Sequence, residues 1–398
     1  MPNKLHKTHV RCGAETKRPD LRKILITYLS TTPASRRSSA TRPPSALLKA
    51  TLAALLLSCF ARIASAQQPA SPQALVTLSE PVPSTLYPEA ICAHCIVPEW
   101  DRGYLFHLEI EDLAAVTMYD KNGKKVLEAR VVLQDAARVS LLTTGATHAG
   151  GILAAGGAIF NDGSNQRFIA KTDPAGRTVQ SVHMGRFTTR HVCEASDGTV
   201  WALGHAMDLR DSSQADKNVL RHYSFELGLL ETFVSFDSIS EVPDAYPGIL
   251  NPMESHLRCG KDRVSVYLAP AAQYMEVDAS TKKVTRWSVD MSSVVGSNTR
   301  GFAVTDEGRI FLAFASDPDP NGERKHGLYE LRAAPGSPIA SLTAVDGTVT
   351  AFDSYKTAPD GTFFRLWGAD GNFLVVSRKG DNWGLSWTKV LAASGAPE

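Results

Sequence analysis

The stretch HVCEASDGTVWALG, residues 191–204, decides the fold class because two short apolar runs flank a tight turn. Ser196-Asp197-Gly198 is a turn signal, since aspartate bonds nearby backbone and glycine accepts a positive φ. Val200 and Trp201, which follow the turn, are β-branched and aromatic residues that favour strands. The stretch therefore predicts a strand, a turn and a second strand, and Cys193 becomes a packing residue rather than a nucleophile.

The same strand–turn–strand pattern recurs along the chain. Its copies are GFAVTDEGRIFLAF (301–314), YKTAPDGTFFRLWG (355–368), HLRCGKDRVSVYLA (256–269), THAGGILAAGG (147–157) and PEWDRGYLFHLEI (98–110). The apolar anchors of the six second strands are Leu105, Ile152, Val200, Val266, Ile310 and Phe363. The copies return at roughly the 45-residue spacing of one propeller blade.

A second half with two more strands follows most copies. The clearest example is AAVTMYDKNGKKVLEARV (114–131), and RFIAKTDPAGRTVQSV (167–182) and YMEVDASTKKVTRWSV (274–289) repeat it. Each unit then has four strands, and closing such units around an axis leaves only short, protected edges. The sequence predicts an all-β fold, a six-bladed β-propeller of four-stranded antiparallel blades over residues 91–398.

In this pattern the chain resembles the six-bladed propellers of secreted bacterial proteins, broadly the NHL, SMP-30/gluconolactonase and virginiamycin B lyase-like groups. The resemblance covers nearly the whole chain after residue 90 and consists of the blade repeat quoted above. It implies the propeller fold. It carries over no catalytic residue, because no catalytic motif of these groups matches position by position.

The first 66 residues are predicted to be an export signal with a long basic n-region. They hold twelve Lys/Arg and two Asp/Glu, and they include the apolar run LLKATLAALLLSCF (47–60) and the A-x-A site Ala64-Ser65-Ala66. Cleavage near Ala66 is the favoured interpretation, and a lipoprotein attached at Cys59 is the less favoured alternative. Residues 67–90 are predicted to be a linker or first strand. The processed chain, with no transmembrane segment, is expected in the periplasm or outside the cell.

The four cysteines that follow the leader are expected to meet oxidising conditions. Cys92 and Cys95 form a C-x-x-C that favours a small structural disulfide over redox catalysis. Cys193 and Cys259 are predicted to lie on adjacent inner strands, where a disulfide is conceivable and buried thiols are favoured.

The candidate ligand site lies where the first strands begin, near the axis. The long connections, 205–218, 237–255 and 316–327, fall on this same face, where function tends to concentrate. The residues assigned to the first-strand entries are His148, Arg190, His191, His256 and Arg300. Arginines there could bind an anion, and histidines could bind a metal. The alternative is that these side chains only line a water-filled channel.

Three functional hypotheses follow. The leading one is an exported, non-catalytic propeller that binds a small molecule or an envelope protein through its long-loop face and axial mouth. The second is a propeller enzyme, a metal-assisted lactonase-like hydrolase or a lyase, that uses the His/Arg cluster. The third is a structural part of an envelope complex. No pattern identifies a cofactor, and the 39 acidic against 30 basic residues after residue 66 disfavour nucleic acid as a partner.

Overall fold

The computed structural model describes residues 76–78, 82–84, 99–109, 111–120, 124–206, 217–239, 255–296, 298–305, 308–317, 319–320, 326–346, 365–369, 372–379 and 382–391. At 76–78, 82–84, 365–369, 372–379 and 382–391, and at Trp100, Asn298, Arg300, His326 and Asp346, it describes the backbone alone. Among the described residues there is no α-helix, and hence no helix long and apolar enough to cross a bilayer.

The described chain is all-β, as predicted. Two short N-terminal strands, β1 (Val76–Leu78) and β2 (Val82–Ser84), precede a four-stranded sheet of β3 (Glu99–Asp101), β4 (Tyr104–Leu108), β5 (Ala115–Asp120) and β6 (Lys125–Arg130). The second sheet contains β7 (Ala136–Ala146), β8 (Ile152–Phe160), β9 (Asn165–Thr172) and β10 (Thr178–Gly185). The third contains β11 (Phe187–Glu194), β12 (Val200–Ala206), β13 (Asn218–Tyr223) and β14 (Leu229–Ser235). In each sheet consecutive strands pair antiparallel.

Two more antiparallel meanders and a three-stranded one follow. They are β15 (Ser255–Cys259), β16 (Arg263–Leu268), β17 (Gln273–Asp278) and β18 (Val284–Val289); β19 (Asn298–Val304), β20 (Ile310–Ala315), β21 (His326–Arg332) and β22 (Ile339–Asp346); and β23 (Arg365–Ala369), β24 (Asn372–Lys379) and β25 (Asn382–Leu391). Parallel pairs, β18 with β22 and β19 with β23, join these meanders edge to edge. The N-terminal β2 pairs antiparallel with β25 and supplies the last meander with a fourth strand.

The first strands of the six meanders contact one another in cyclic order. β3 contacts β7, β7 contacts β11, β11 contacts β15, β15 contacts β19, β19 contacts β23, and β23 contacts β3. Residues carried by these six strands are therefore brought together, although they come from distant parts of the sequence.

Hydrophobic cores fill the spaces between neighbouring meanders. Ile152 and Ala154 of β8 pack toward the first sheet, whereas Leu153 and Ala155 of the same strand pack toward the third. Because β8 is buried on both faces, its sequence is continuously apolar instead of alternating. The predicted anchors Leu105, Ile152, Val200, Val266 and Ile310 are all buried, and Phe363 lies outside the described residues.

Three first strands carry a β-bulge at the same point of their pairing with the second strand. The bulged residues are Leu142 in β7, Arg190 in β11 and Arg300 in β19. Gly204 lies beside the β11 bulge, where a Cβ atom would collide with the carbonyl oxygen of Thr188. A bulge redirects its extra side chain, so Arg190 is presented differently from a residue of the regular strand.

A disulfide joins Cys193 at the end of β11 to Cys259 at the end of β15, with 5.7 Å between their Cα atoms. The preference for buried thiols was therefore wrong. The two strands belong to neighbouring meanders and approach at their ends, which brings the two cysteines within bonding distance. Cys92 and Cys95 lie outside the described residues.

The sixth copy of the repeat is also corrected. The sequence places its first strand before the Pro359-Asp360-Gly361 turn and 365–368 in the second strand, but β23 (Arg365–Ala369) pairs in parallel with the first strand β19. Asp370-Gly371, between β23 and β24, matches the turn pattern equally well. Turn chemistry alone does not distinguish the two glycine-containing turns.

Replacing both Cys193 and Cys259 by serine should lower the free energy of unfolding by about 4 kcal/mol, because the cross-link closes a loop with a sequence separation of 66 residues. Urea unfolding followed by tryptophan fluorescence measures the change. Non-reducing peptide mapping of the wild type should recover the two cysteine peptides as one species. A double variant as stable as the wild type would contradict this account.

Candidate functional site

His191 and His256, two of the residues predicted at the axial mouth, do lie together. Their ring centroids are 6.1 Å apart and the rings are nearly parallel. Both side chains are buried, and His256 also stacks on Phe302 at 5.7 Å. His191 Nδ1 lies 3.9 Å from Glu99 Oε1 on β3. The pair thus occupies the region shared by the first strands.

Arg190 and Arg300 occupy equivalent places at the bulges of β11 and β19. The Arg190 side chain is half-buried, and its Nε has no hydrogen-bond partner among the described residues. For Arg300 the description ends at the backbone. The bulge alignment gives these two positions a shared backbone geometry that the sequence pattern does not reveal.

Arg190 belongs to a group of basic side chains that we call the cationic cluster: Arg167 on β9, Arg190 on β11 and His205 on β12. His205 pairs with Thr188, two residues before Arg190, and β9 contacts β11. Burial lowers the pKa of His205 to about 4, and the charges of Arg190 and Arg167 act in the same direction. Burial and the charge of Arg167 also lower the pKa of Arg190. Positive charge on one of these groups disfavours positive charge on the others, and an anion placed among them would relieve this repulsion.

His148 is not at a first-strand entry, where the sequence alignment placed it. It lies in the turn between β7 and β8, which is closed by bonds from Thr147 N to Gly151 O (3.0 Å) and from Gly150 N to Thr147 O (3.0 Å). The Ala195–Thr199 turn of the third sheet is closed in the same way. Thr147-His148-Ala149 therefore corresponds to Ala195-Ser196-Asp197, at the opposite end of the strand from the predicted mouth.

His148 takes part in what we call the turn network, which joins three neighbouring meanders. Arg102 Nη1 donates to His148 Nε2 at 2.8 Å, so the imidazole proton is on Nδ1, which donates to Glu194 Oε2 at 2.9 Å. The backbone N–H of His148 donates to the same oxygen at 2.5 Å, and Arg102 Nη2 donates to the carbonyl of Glu194. The network connects the first turns of the first and second sheets to the end of β11.

Lys171 is the buried basic residue of the turn network. Its Nζ donates to Glu194 Oε1 at 2.9 Å and to Phe225 O at 3.1 Å, and it lies 4.3 Å from the centre of the Phe225 ring. The Lys171 and Glu194 side chains are only 5% and 2% exposed. A buried charge pair is tolerated only when each charge is well compensated, and here both partners have further hydrogen bonds.

Two more carboxylates occupy the same end of the first strands. Glu99 accepts from Thr143 Oγ1 at 2.9 Å and from the Thr144 N–H at 2.8 Å, and Asp101 Oδ2 accepts from the Ala146 N–H at 2.9 Å. Burial raises the pKa of Asp101, and the positive charge of Arg102 opposes that rise. The hydrogen bonds of these two carboxylates join β3 to β7. The carboxylates add negative charge near the turn network.

Among the described residues, no three His, Cys, Asp or Glu side chains come close enough together to hold a metal ion. His191 and His256 are neighbours, but His148 lies at the other end of the strand layer.

The sequence prediction missed Arg167, Lys171, Glu194 and His205. A signal was present for two of them, since Lys171 interrupts the apolar run FIAKT and His205 ends the apolar run VWALGH. A charged residue in a strand that is buried on both faces must have a compensating partner. Finding that partner requires knowing which strands meet.

Comparisons with known proteins give likeness of fold alone. No family model matches the chain, and no curated protein matches it. A Bacteroides fragilis protein inferred to be exported shares 11% identity, with a TM-score of 0.48, over 79% of this chain and 96% of its own. A luciferin-regenerating enzyme shares 13% identity, with a TM-score of 0.43, over 80% of this chain and 98% of its own. At these values neither likeness assigns an activity or a ligand to this chain.

Lys171→Met should lower the free energy of unfolding by about 3 kcal/mol, because it leaves the buried Glu194 carboxylate without its main counter-charge. Lys125→Met is the matched control, since Lys125 forms its ion pair with Glu128 on the surface and should change stability very little. Urea unfolding of the two variants compares them. Equal losses in both would contradict the role given to Lys171.

The stability of the protein should fall in acid because His205 stays unprotonated in the folded state. Its folded pKa of about 4 is below its ordinary value of 6.5. The unfolded chain therefore binds the proton first, and stability that is complete above pH 6.5 is lost as the pH falls to about 4, by on the order of 3 kcal/mol. Unfolding free energies measured in chloride buffers from pH 4 to 7 should show this slope in the wild type and in the exposed control His183→Gln. His205→Gln should reduce it, and an unchanged slope in that variant would refute the assignment.

Proposed function

We propose that this protein is an exported six-bladed β-propeller that binds a small anionic ligand at its cationic cluster. The proposal rests on this cluster. Arg167, Arg190 and His205 are held by three strands of two sheets, and the charge of Arg167 lowers the pKa of Arg190 while both arginines lower that of His205.

Six antiparallel meanders whose first strands contact one another in cyclic order support the propeller architecture. The pairing of β2 with β25 supports it further, because a strand from the N-terminal side completes the C-terminal meander. Pairing an early strand with the last described strand within one sheet is a direct way to close a ring and remove its edges. On this proposal residues 91–398, with β2, form the propeller.

Export is supported by the leader and by the disulfide. Residues 1–66 have the charge and apolar run of a secretory signal with a cleavage site near Ala66. The Cys193–Cys259 bond is of a kind that persists in oxidising compartments and is rare in the cytosol. Both observations point to the same destination.

The character of the ligand follows from the chemistry of the cluster. Arginine forms paired hydrogen bonds with carboxylate, sulfate or phosphate oxygens. An anion bound among these groups offsets the charges of the two arginines and raises the pKa of His205 against the effect of burial, so binding should be accompanied by proton uptake. The affinity should therefore rise as the pH is lowered toward the ordinary pKa of histidine.

Isothermal titration of the purified protein with sulfate, inorganic phosphate and succinate tests the proposal. At least one anion should bind, and Arg190→Gln should weaken it tenfold to a hundredfold, the range of one charge-assisted hydrogen bond. Arg177→Gln is the matched control, since Arg177 is exposed and pairs with Asp173. His205→Gln should also remove the pH dependence of binding.

Two results would overturn the proposal. One is the absence of binding by all three anions. The other is an affinity that Arg190→Gln leaves unchanged. Turnover of a lactone or ester that depends on His191 and His256 would instead favour the hydrolase hypothesis.

A further inference from the structure

Two exposed apolar side chains border the cationic cluster. Leu142 on β7 is 39% exposed and Ile159 on β8 is 42% exposed, and both strands belong to the second sheet, which also carries Arg167. Single exposed apolar residues are common on protein surfaces. Here, however, the pairing of the strands places both side chains next to basic residues of one site.

The position of Ile159 follows from the pairing of β8 with β9. Gly157 pairs with Arg167, and a Cβ atom on Gly157 would collide with Nη1 of Arg167. The guanidinium group therefore lies on the face of β8 to which Gly157 belongs. Ile159, two residues further along the strand, is on the same face because side chains alternate along a strand. This is also the face whose residues Leu153 and Ala155 pack toward the third sheet.

The position of Leu142 follows from the bulge in β7. Gly156 lies beside that bulge, and a Cβ atom there would collide with the carbonyl oxygen of Ser140. Gly204 has the same relation to the bulge at Arg190 in β11. The two bulges are built in the same way, so Leu142 is the counterpart of Arg190 in the neighbouring sheet.

The two bulges lie side by side on β7 and β11, which contact each other. The turn network joins the C-terminal ends of these strands, so they run in the same direction. A Cβ atom on Gly145 would lie 3.2 Å from the carbonyl oxygen of Val192, which fixes their relative register. Three residues back from this contact are Leu142 on β7 and Thr189 on β11, next to Arg190.

The second and third sheets thus bring a guanidinium fork and an aliphatic surface to one place. The Nε of Arg190 has no hydrogen-bond partner among the described residues, and arginine binds a carboxylate in a planar fork. An alkyl chain on that carboxylate would remove the apolar area of Leu142 and Ile159 from water, which is favourable. Inorganic sulfate or phosphate would leave this area exposed, and the second charge of a dicarboxylate would be desolvated against it at a cost.

We propose that the ligand of the cationic cluster is a short-chain alkyl monocarboxylate, with its carboxylate at Arg190 and its chain on Leu142 and Ile159. This inference rests on the proposed function, since it names the class of anion that the same site binds. Two positions along one strand span about 7 Å, which limits the favourable contact to a chain of roughly six carbons. The site should therefore prefer hexanoate to acetate.

Isothermal titration of the wild type with acetate, butyrate and hexanoate tests the preference without any variant. The affinity should rise about twofold to fourfold for each added methylene, with the upper value for full burial. Hexanol, which has the chain without the charge, should bind at least tenfold more weakly than hexanoate. Arg190→Gln should weaken all three carboxylates tenfold or more, and sulfate should compete with hexanoate.

Two variants test the apolar surface. Leu142→Ser and Ile159→Ser should each weaken hexanoate about threefold to tenfold and acetate less than twofold, because acetate has almost no chain to contact them. Leu229→Ser is the matched control, since Leu229 is a leucine of β14 with 51% exposure in another part of the third sheet. It should change neither affinity. Circular dichroism establishes that each variant is folded.

The outcomes separate this inference from the proposed function. If acetate and sulfate bind through Arg190 but hexanoate binds no tighter than acetate, this inference is wrong and the proposed function stands. Hexanoate binding that neither Arg190→Gln nor sulfate weakens would also overturn it, because the chain would then lie elsewhere. Folded Leu142→Ser and Ile159→Ser proteins that both keep the wild-type preference for hexanoate would overturn it too. If no anion binds at all, both proposals are wrong.

Discussion

The packing of first strands against one another is the constraint on which the rest of the structure depends. Each meander contributes one strand to this region, so residues from distant parts of the sequence lie close together there. Polar groups brought into such a space must find partners, because leaving them desolvated and unpaired is costly. The turn network, in which Glu194 accepts from both Lys171 and His148, meets this requirement at one end of the strands.

The same constraint explains why the strands beside the first ones are so apolar. A second strand such as β8 or β12 packs against a neighbouring meander on each face, and Trp201 and Leu203 pack on one side while Val200 and Ala202 pack on the other. Burial on both faces removes the alternation that an isolated sheet would show. His205 on the second strand β12 and Lys171 on the third strand β9 are buried polar residues in this environment. Each lies beside a charged residue of β11, His205 near Arg190 and Lys171 bonded to Glu194.

The sequence was sufficient for the class of fold and for most strands, because the Asp-Gly turns and the apolar anchors are local signals. It was insufficient at Gly361 and Gly371, where two turn signals compete for the same position in the repeat. It was also insufficient at His148, where the register of the repeat alignment decides at which end of the strand the residue lies. The disulfide could not be inferred, since the distance between Cys193 and Cys259 depends on how two meanders pack. Of the predicted site residues, His191 and His256 are brought together, and Arg190 acquires Arg167 and His205 as neighbours that only the assembled sheets provide.

In this account a layer of strands holds basic groups around Arg190 and, toward its turn end, the turn network around Glu194. The most direct test of its central claim is a crystal structure of the protein grown with selenate, whose anomalous scattering locates the anion. The account predicts a selenate ion between Arg167, Arg190 and His205, with the Cys193–Cys259 bond intact. A structure in which Arg190 instead pairs with a carboxylate of the chain, and no selenate occupies that position, would contradict it.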